Sequence, residues 1–167
     1  WLMTDDHLQA KVEYQIQEIA DGQRRVEFKI QPGQRADKVV LAFEGASGVD
    51  PDELDTIVNE QGLERQLFTD PLVVTGLLER YYREQGYLAA ELDPPAYEYQ
   101  GTMARVVMTV REGPRFTVRR VLAPGTAVYP SDEIVAQLPV VAGEPFLPSA
   151  AEHALERIRE IYWEKGY

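Results

Sequence analysis

The stretch Tyr81-Tyr82-Arg83-Glu84-Gln85-Gly86-Tyr87 occurs a second time, 80 positions later, as Ile161-Tyr162-Trp163-Glu164-Lys165-Gly166-Tyr167. Each copy is typical of the last turn of an amphipathic helix that stops at a glycine, because glycine adopts the left-handed backbone conformation without a Cβ clash. The tyrosine after each glycine is expected to begin a strand. A fixed period of this kind indicates a repeat architecture.

The same offset of 80 aligns apolar residues and glycines along most of the chain. Aligned pairs are Val26 with Val106, Phe28 with Met108, Ile30 with Val110, Gly33 with Gly113, Leu41 with Val121, Gly45 with Gly125, Leu54 with Ile134, Leu78 with Ile158 and Leu92 with Val12. We place the unit boundaries near Gly33 and Gly113. Residues 1–33 are then the last helical turn and two strands of a first unit, and residues 34–112 are a complete second unit. Residues 113–167 are the strand and two helices of a third unit. We interpret the chain as a fragment of a longer protein.

Composition narrows the class of protein. A hydrophobic content of 44% with 27% charged residues is ordinary for a globular protein. The net charge of −11 argues against nucleic acid and against simple adhesion to anionic lipid, since both need a basic surface. The chain has no cysteine, which excludes disulfides and thiolate chemistry.

The first segment reads as a β-hairpin. Leu8 to Ile19 alternates, with Ala10, Val12, Tyr14 and Ile16 on the apolar face, and this period of two indicates a half-buried strand. Asp21-Gly22 is a favoured turn. Arg25 to Ile30 then returns, and Val26, Phe28 and Ile30 are expected to point inward.

The complete unit begins with a strand over 38–43 and two helices. Asp50-Pro51-Asp52-Glu53 is a helix start, and Thr69-Asp70-Pro71 opens the second helix, which should end at Gly86. Tyr87 to Leu92 is predicted as a strand interrupted by Pro94-Pro95, and Ala104 to Arg111 as the strand that returns through the core. The third segment repeats this order from a strand at 116–122, with Ile134, Val135 and Leu138 on its first helix.

This pattern resembles the POTRA domain. The motifs are the second helix ending Tyr82-Arg83-Glu84-Gln85-Gly86-Tyr87, its copy from Tyr162 through Gly166 to Tyr167, a strand ending in Glu112-Gly113-Pro114, and glycines at Gly45 and Gly125 after the first strand of each unit. The resemblance spans essentially the whole chain. The first unit departs from it, with Asp6-His7 in place of Gly-Tyr and Gln31-Pro32-Gly33 in place of Glu-Gly-Pro.

The resemblance implies an α+β fold of tandem β-α-α-β-β POTRA units, each a three-stranded mixed sheet with two antiparallel helices on one face. It also implies a periplasmic arm of a BamA/TamA-type outer-membrane assembly factor, attached to the outer membrane through a C-terminal β-barrel. Its implied partners are unfolded outer-membrane proteins and accessory assembly proteins, with no cofactor and no enzymatic activity.

The implied mechanism is strand addition, in which an open edge strand pairs with an extended client through main-chain hydrogen bonds. One candidate edge is the proline-free first strand, with Gln9, Lys11, Glu13, Gln15 and Gln17. The other candidate is shorter, at Leu88, Ala90 and Leu92, because Pro94 and Pro95 lack backbone N–H donors. Such a long first strand can equally well continue a sheet between neighbouring units.

Residues for chemistry are few. His7 and His153 have no second ligand at metal spacing, so surface histidines are favoured. The acidic residues Asp50, Asp52, Glu53 and Asp55 surround a helix start, where the helix dipole explains them. Tyr81, Tyr82, Tyr162 and Trp163 suggest either a stacking platform for carbohydrate or, preferably, the closed end of a small core, with Trp163 the aromatic residue most exposed at an interface. We therefore predict no catalytic, cofactor or metal site.

Alternatives remain open within and beyond this fold. A two-partner secretion transporter or a patatin-like outer-membrane protein also carries POTRA units. A cell-division scaffold module carries one unit after a membrane helix, and a periplasmic enzyme would need a site that the sequence does not contain. Strand exchange between molecules is a further hypothesis, in which residues 8–30 of one chain complete 116–167 of another.

Overall fold

The computed structural model describes residues 7–8, 10–20, 22–125, 128–164 and 166, with the backbone alone for His7 and Leu8. The strands are β1 (His7–Leu8), β2 (Lys11–Ala20), β3 (Gln23–Gln31), β4 (Gln34–Arg35), β5 (Lys38–Glu44), β6 (Glu91–Leu92), β7 (Ala96–Gln100) and β8 (Met103–Arg111). The helices are α1 (Pro51–Glu60), α2 (Gln66–Thr69), α3 (Pro71–Glu84), α4 (Ser131–Val135) and α5 (Pro148–Trp163).

A mixed sheet is formed around β8. Strand β5 runs parallel to β8, with Leu41 opposite Val106, while β6 and β7 pair antiparallel with the other edge of β8. The chain therefore follows the order β5, α1, α3, β7, β8, with the short α2 as an addition. This confirms the predicted α+β class and the strand-helix-helix-strand-strand order of the unit.

Two further pairs of strands lie outside this sheet. Strands β2 and β3 form an antiparallel hairpin whose turn contains Gly22 at φ +78°. Strands β1 and β4 pair over two residues each. The predicted hairpin is confirmed, although its first strand, predicted from Leu8, begins at Lys11.

The chain divides into two compact units. The first comprises residues up to Glu44 together with Pro51–Val74 and Pro94–Thr109, and the second comprises Gly45–Asp50, Thr75–Asp93 and Val110 onward. Apolar residues without exposed surface in the first compact unit include Leu54, Val58, Leu67, Ala104 and Val106. In the second, Leu78 and Tyr82 have none, and Ile134, Ile161 and Val110 are at most 4% exposed. The repeat boundaries near Gly33 and Gly113 stay a prediction.

The glycine that ends α3 behaves as the sequence predicts. Gly86 has φ +92°, its N–H donates to the carbonyl of Arg83, and the N–H of Tyr87 donates to the carbonyl of Tyr82. These two bonds are the Schellman arrangement, which satisfies carbonyls left over at a helix end. In the later copy, Gly166 has φ +83° and donates to the carbonyl of Trp163. Tyr167 lies outside the described residues.

The strand predicted over Tyr87 to Leu92 is much shorter. Leu88 and Ala89 form a turn, and the N–H of Ala90 donates to the carbonyl of Tyr87. Strand structure is confined to Glu91–Leu92, and the longer partner of β8 follows the two prolines as β7. The prediction was wrong because the helix cap extends into a second turn, which uses backbone groups that a strand would need.

The third segment also departs from expectation. Residues 116–122 do not form the predicted strand; Thr117 and Pro145 make one isolated bridge. Helix α4 has five residues, so Leu138 lies beyond it in a bend. A strand requires a ladder partner, and among the described residues this segment has no counterpart of β8 beside it.

Candidate functional site

The described ranges contain no cluster of three or more His, Asp or Glu side chains arranged to hold a metal ion. His153 is exposed on α5, and the side chain of His7 lies outside the described part. Within the same ranges, no helix has the length and apolar character needed to cross a bilayer. The described ranges instead present three open strand edges.

The first edge is the outer edge of β2. Its predicted residues Lys11, Glu13, Gln15 and Gln17 lie on the exposed polar face of the hairpin, and Gln9 lies outside the described residues. Among the described strands, β2 pairs with β3 alone, so a row of backbone groups faces away from β3. Ten residues without proline can present several of these groups to an added strand.

The other face of this hairpin is apolar and exposed. Val12 is opposite Ile30, Tyr14 opposite Phe28, and Ile16 opposite Val26; these six side chains are between 48 and 66% exposed. The expectation that they point into a core is wrong for the described part of the chain, because a two-stranded ribbon has no second layer to cover it. By contrast, the residues 80 positions after Val26, Phe28 and Ile30 are at most 4% exposed; they are Val106, Met108 and Val110.

The second edge lies at β6 and β7. Of the predicted residues, Leu88 is in a turn and Ala90 precedes the strand, while Leu92 in β6 is buried opposite Val110. Arg111 makes two hydrogen bonds to the carboxylate of Asp93, at 2.6 and 2.8 Å, and these lower the pKa of Asp93. The second edge thus consists of the two residues of β6 and, after the prolines, the five residues of β7.

The third edge, β5, was not predicted as a binding edge. The N–H of Lys38 donates to the carbonyl of Thr102. In a parallel ladder alternate residues bond to the partner, so Val39, Leu41 and Phe43 turn their N–H and C=O groups away from β8. A groove of about 440 Å³ runs beside β5 and is lined on its other side by Pro51, Asp52, Asp55 and Asn59 of α1 together with Glu64 and Leu67. Its signal in the sequence was only the absence of proline from 38–44.

The predicted motif residues are brought to turns and helix ends. Positive φ values between 66 and 92° are found at Gly33, Gly45, Gly86, Gly113, Gly125 and Gly166. The ring of Tyr82 is buried and meets the ring of Tyr87 edge-on at 5.8 Å, and Tyr162 meets Tyr129 at 5.9 Å. Pro114 is exposed, and Trp163 is 80% exposed, as predicted. These residues shape the units and do not form a common site.

Glu112 has a role that its motif did not reveal. Its carboxylate accepts hydrogen bonds from the N–H groups of Ser47 and Gly48, from the Ser47 hydroxyl and from the hydroxyl of Tyr82. Burial opposes ionisation, yet these bonds together hold the pKa of Glu112 below its ordinary value. Burial and the nearby carboxylate raise the pKa of Tyr82. The partners lie 30 to 65 positions away in sequence, so no local pattern could identify them.

Comparison with known proteins gives structural similarity at low sequence identity. No family model and no curated protein matches the chain. BamA POTRA3-5 from Haemophilus influenzae is similar at 17% identity and a TM-score of 0.48, over 94% of this chain and 63% of that one. The N-terminal domain of Omp85 from the thermophilic cyanobacterium Thermosynechococcus elongatus is similar at 18% identity and a TM-score of 0.40, over 95% of this chain and 68% of that one.

The chain thus spans 63% of the length of the BamA structure. POTRA-type architecture is visible in its own elements, because β5, α1, α3, β7 and β8 follow the strand-helix-helix-strand-strand order. The first strand is parallel and the second antiparallel to the last.

Proposed function

We propose that the chain belongs to the periplasmic arm of an outer-membrane protein assembly or translocation factor and binds extended segments of unfolded outer-membrane proteins by strand addition. The observation that supports this most directly is the set of open strand edges, with β2 the longest at ten residues. An extended client satisfies the backbone groups of such an edge with little demand on its own sequence. One receptor can therefore serve many clients.

The proposed role is binding and not catalysis. Accessory assembly proteins are the second class of partner, and the exposed side chains at the end of α5, with Trp163 foremost, provide a surface of the kind that folded partners use. The open edges of this chain fit a two-partner secretion transporter or a patatin-like outer-membrane protein equally well. The sequences that flank this chain in its parent protein would separate these alternatives.

Backbone-modified peptides provide the decisive experiment. Peptides from outer-membrane barrel strands are titrated into isotopically labelled chain, and amide shifts are recorded by NMR. A matched peptide with an N-methyl group on every residue keeps its side chains but has no N–H donor on either edge, so it cannot form a ladder. Shifts along β2, β5 or β7 with the first peptide and none with the second support strand addition. Equal shifts with both peptides would show that side chains, not edges, bind the client.

We also propose strand exchange between molecules, on a separate observation. The apolar hairpin face is exposed, and so are Leu122, Leu155 and Trp163, at 60 to 80%. Leu155 corresponds in the repeat to Thr75, which is 5% exposed. The apolar hairpin face of one molecule would cover these residues in a second molecule and so bury apolar area on both.

A further inference from the structure

The groove beside β5 has an apolar floor. Val39, Leu41 and Phe43 are in register with Ala104, Val106 and Met108, which have no exposed surface, so all six lie on the buried face of the sheet. At the outer edge this burial is incomplete: Val39 is 37% exposed, and Leu41 and Phe43 are half-buried. An added strand would cover this remaining apolar area with every second side chain.

The rim of the groove is acidic. Asp52 and Asp55 on α1 and Glu64 after it contribute three carboxylates, against the single cation of Lys38 at one end. The Asn59 amide donates to the Asp55 carboxylate at 3.1 Å and helps to fix its position. Strand, helix and groove all belong to the first compact unit. A lysine or arginine can lay its aliphatic stem over an apolar floor while its charge reaches carboxylates at the rim.

We propose that the outer edge of β5 accepts an extended segment whose side chains facing α1 are apolar, with a lysine or arginine among them opposite Asp55 and Glu64. This inference rests on the proposed function and deepens it by naming the edge and the chemistry of the segment. Backbone pairing with Val39, Leu41 and Phe43 supplies most of the binding. The carboxylates supply selection among extended segments, since main-chain pairing alone does not distinguish them.

Three matched peptides test the charge preference. Each has seven residues, with threonine at the odd positions, valine at the second and sixth, and lysine, glutamine or glutamate at the fourth. Valine and the variable residue then share one face of the strand. With the chain 1–167 at low salt, we expect the lysine peptide to shift the amides of Val39, Leu41 and Phe43. Its binding should be roughly three- to tenfold tighter than that of the glutamine peptide. The difference should shrink as salt is added.

Two variants assign the effect to the groove. The double change Asp55→Asn with Glu64→Gln should remove the preference for lysine while the glutamine peptide binds as before. Glu60→Gln on the same helix, outside the groove lining, is the matched control and should keep the preference. Val39→Pro removes one outward N–H at an exposed edge position, where proline is tolerated, and should abolish the shifts along β5.

The outcomes separate this inference from the proposed function. Shifts confined to β2, or equal binding of all three peptides, would overturn the inference while strand addition itself stands. An unchanged lysine preference in the double variant would also overturn it. If no peptide shifts any strand edge, strand addition fails as the function, and the groove has no role of this kind.

Discussion

Glu112 is joined to Ser47 by two hydrogen bonds of 2.8 Å, one from the Ser47 N–H to Oε1 and one from the Ser47 hydroxyl to Oε2. Ser47 lies shortly after β5 and Glu112 immediately after β8. Because the two strands are parallel, their carboxyl ends meet at one edge of the sheet. One carboxylate thus fastens the loop 45–50 and satisfies the hydroxyl of buried Tyr82 as well.

Removing this carboxylate should destabilise the fold. Glu112→Ala leaves the N–H groups of Ser47 and Gly48 without their acceptor, so we expect the free energy of unfolding to fall by about 1–2 kcal/mol. Glu112→Gln keeps one acceptor oxygen and should cost less. Urea unfolding followed by circular dichroism measures both. Glu152→Ala, at an exposed position of α5, is the control and should change stability by no more than about 0.5 kcal/mol.

The same carboxylate should make stability depend on pH. The pKa of Glu112 in the folded chain lies below its ordinary value of 4.5, so the unfolded chain binds this proton more readily. Its contribution is complete above pH 4.5 and is lost as the pH falls through the lower, folded pKa. Urea midpoints between pH 7 and pH 3 should therefore drop further in the wild type than in Glu112→Gln. Parallel profiles would show that Glu112 is not linked to folding.

Gly45 and Gly125 occupy equivalent repeat positions and have similar φ values, +88° and +80°. A Cβ at Gly45 would lie 2.3 Å from the backbone oxygen of Val110, whereas one at Gly125 meets nothing within 4 Å. We expect Gly125→Ala to cost about 1–2 kcal/mol for its backbone conformation alone. Gly45→Ala should lower the free energy of unfolding by about 3 kcal/mol or more, since the backbone at Val110 must also move away from the new methyl group. Equal thermal unfolding shifts in the two variants would contradict this account of Gly45.

The connection after Gly113 should be well ordered. Arg115 donates from Nε to the carbonyl of Gln85 at 2.9 Å, and the N–H of Phe116 donates to the carbonyl of Gly86 at 2.8 Å. Arg115 also lies over the ring of Tyr87, at 5.9 Å. Arg115→Ala should therefore speed hydrogen exchange of the Phe116 amide several-fold, because local opening becomes easier. Arg119→Ala, at an exposed position, is the control and should leave the exchange rate of the Phe116 amide unchanged. An unchanged rate in Arg115→Ala as well would show that Arg115 does not order this connection.

Strand exchange predicts concentration-dependent association. Contact between the hairpin of one molecule and residues 116–167 of another is head-to-tail, so it can build chains or rings larger than dimers. Sedimentation of the chain between micromolar and millimolar concentrations should show rising mass. Phe28→Glu on the apolar face should return it to monomer, while Lys29→Gln on the polar face should not. A wild-type chain that stays monomeric throughout would exclude exchange.

Local sequence patterns predicted the elements that depend on neighbouring residues. The alternation from Lys11 onward predicted strand β2, and the two prolines marked an interruption between β6 and β7. The β5 edge and the role of Glu112 could not be predicted this way. The β5 strand pairs with residues about 65 positions later, and Glu112 meets partners 30 to 65 positions away, so neither depends on a local pattern.

By itself, the sequence determined the repeat of 80 residues, the helix that ends at Gly86 and the hairpin with its two unlike faces. Each of these follows from side-chain periodicity or from a glycine that takes a positive φ, which are properties of a short stretch of chain. Only the tertiary structure decided that β7 follows the prolines and that, among the described residues, 116–122 form no ladder and the hairpin face stays exposed. Strand pairing and burial depend on what lies alongside a segment. Two residues that align in the repeat, Val26 and Val106, are therefore found in opposite environments, the first exposed and the second buried.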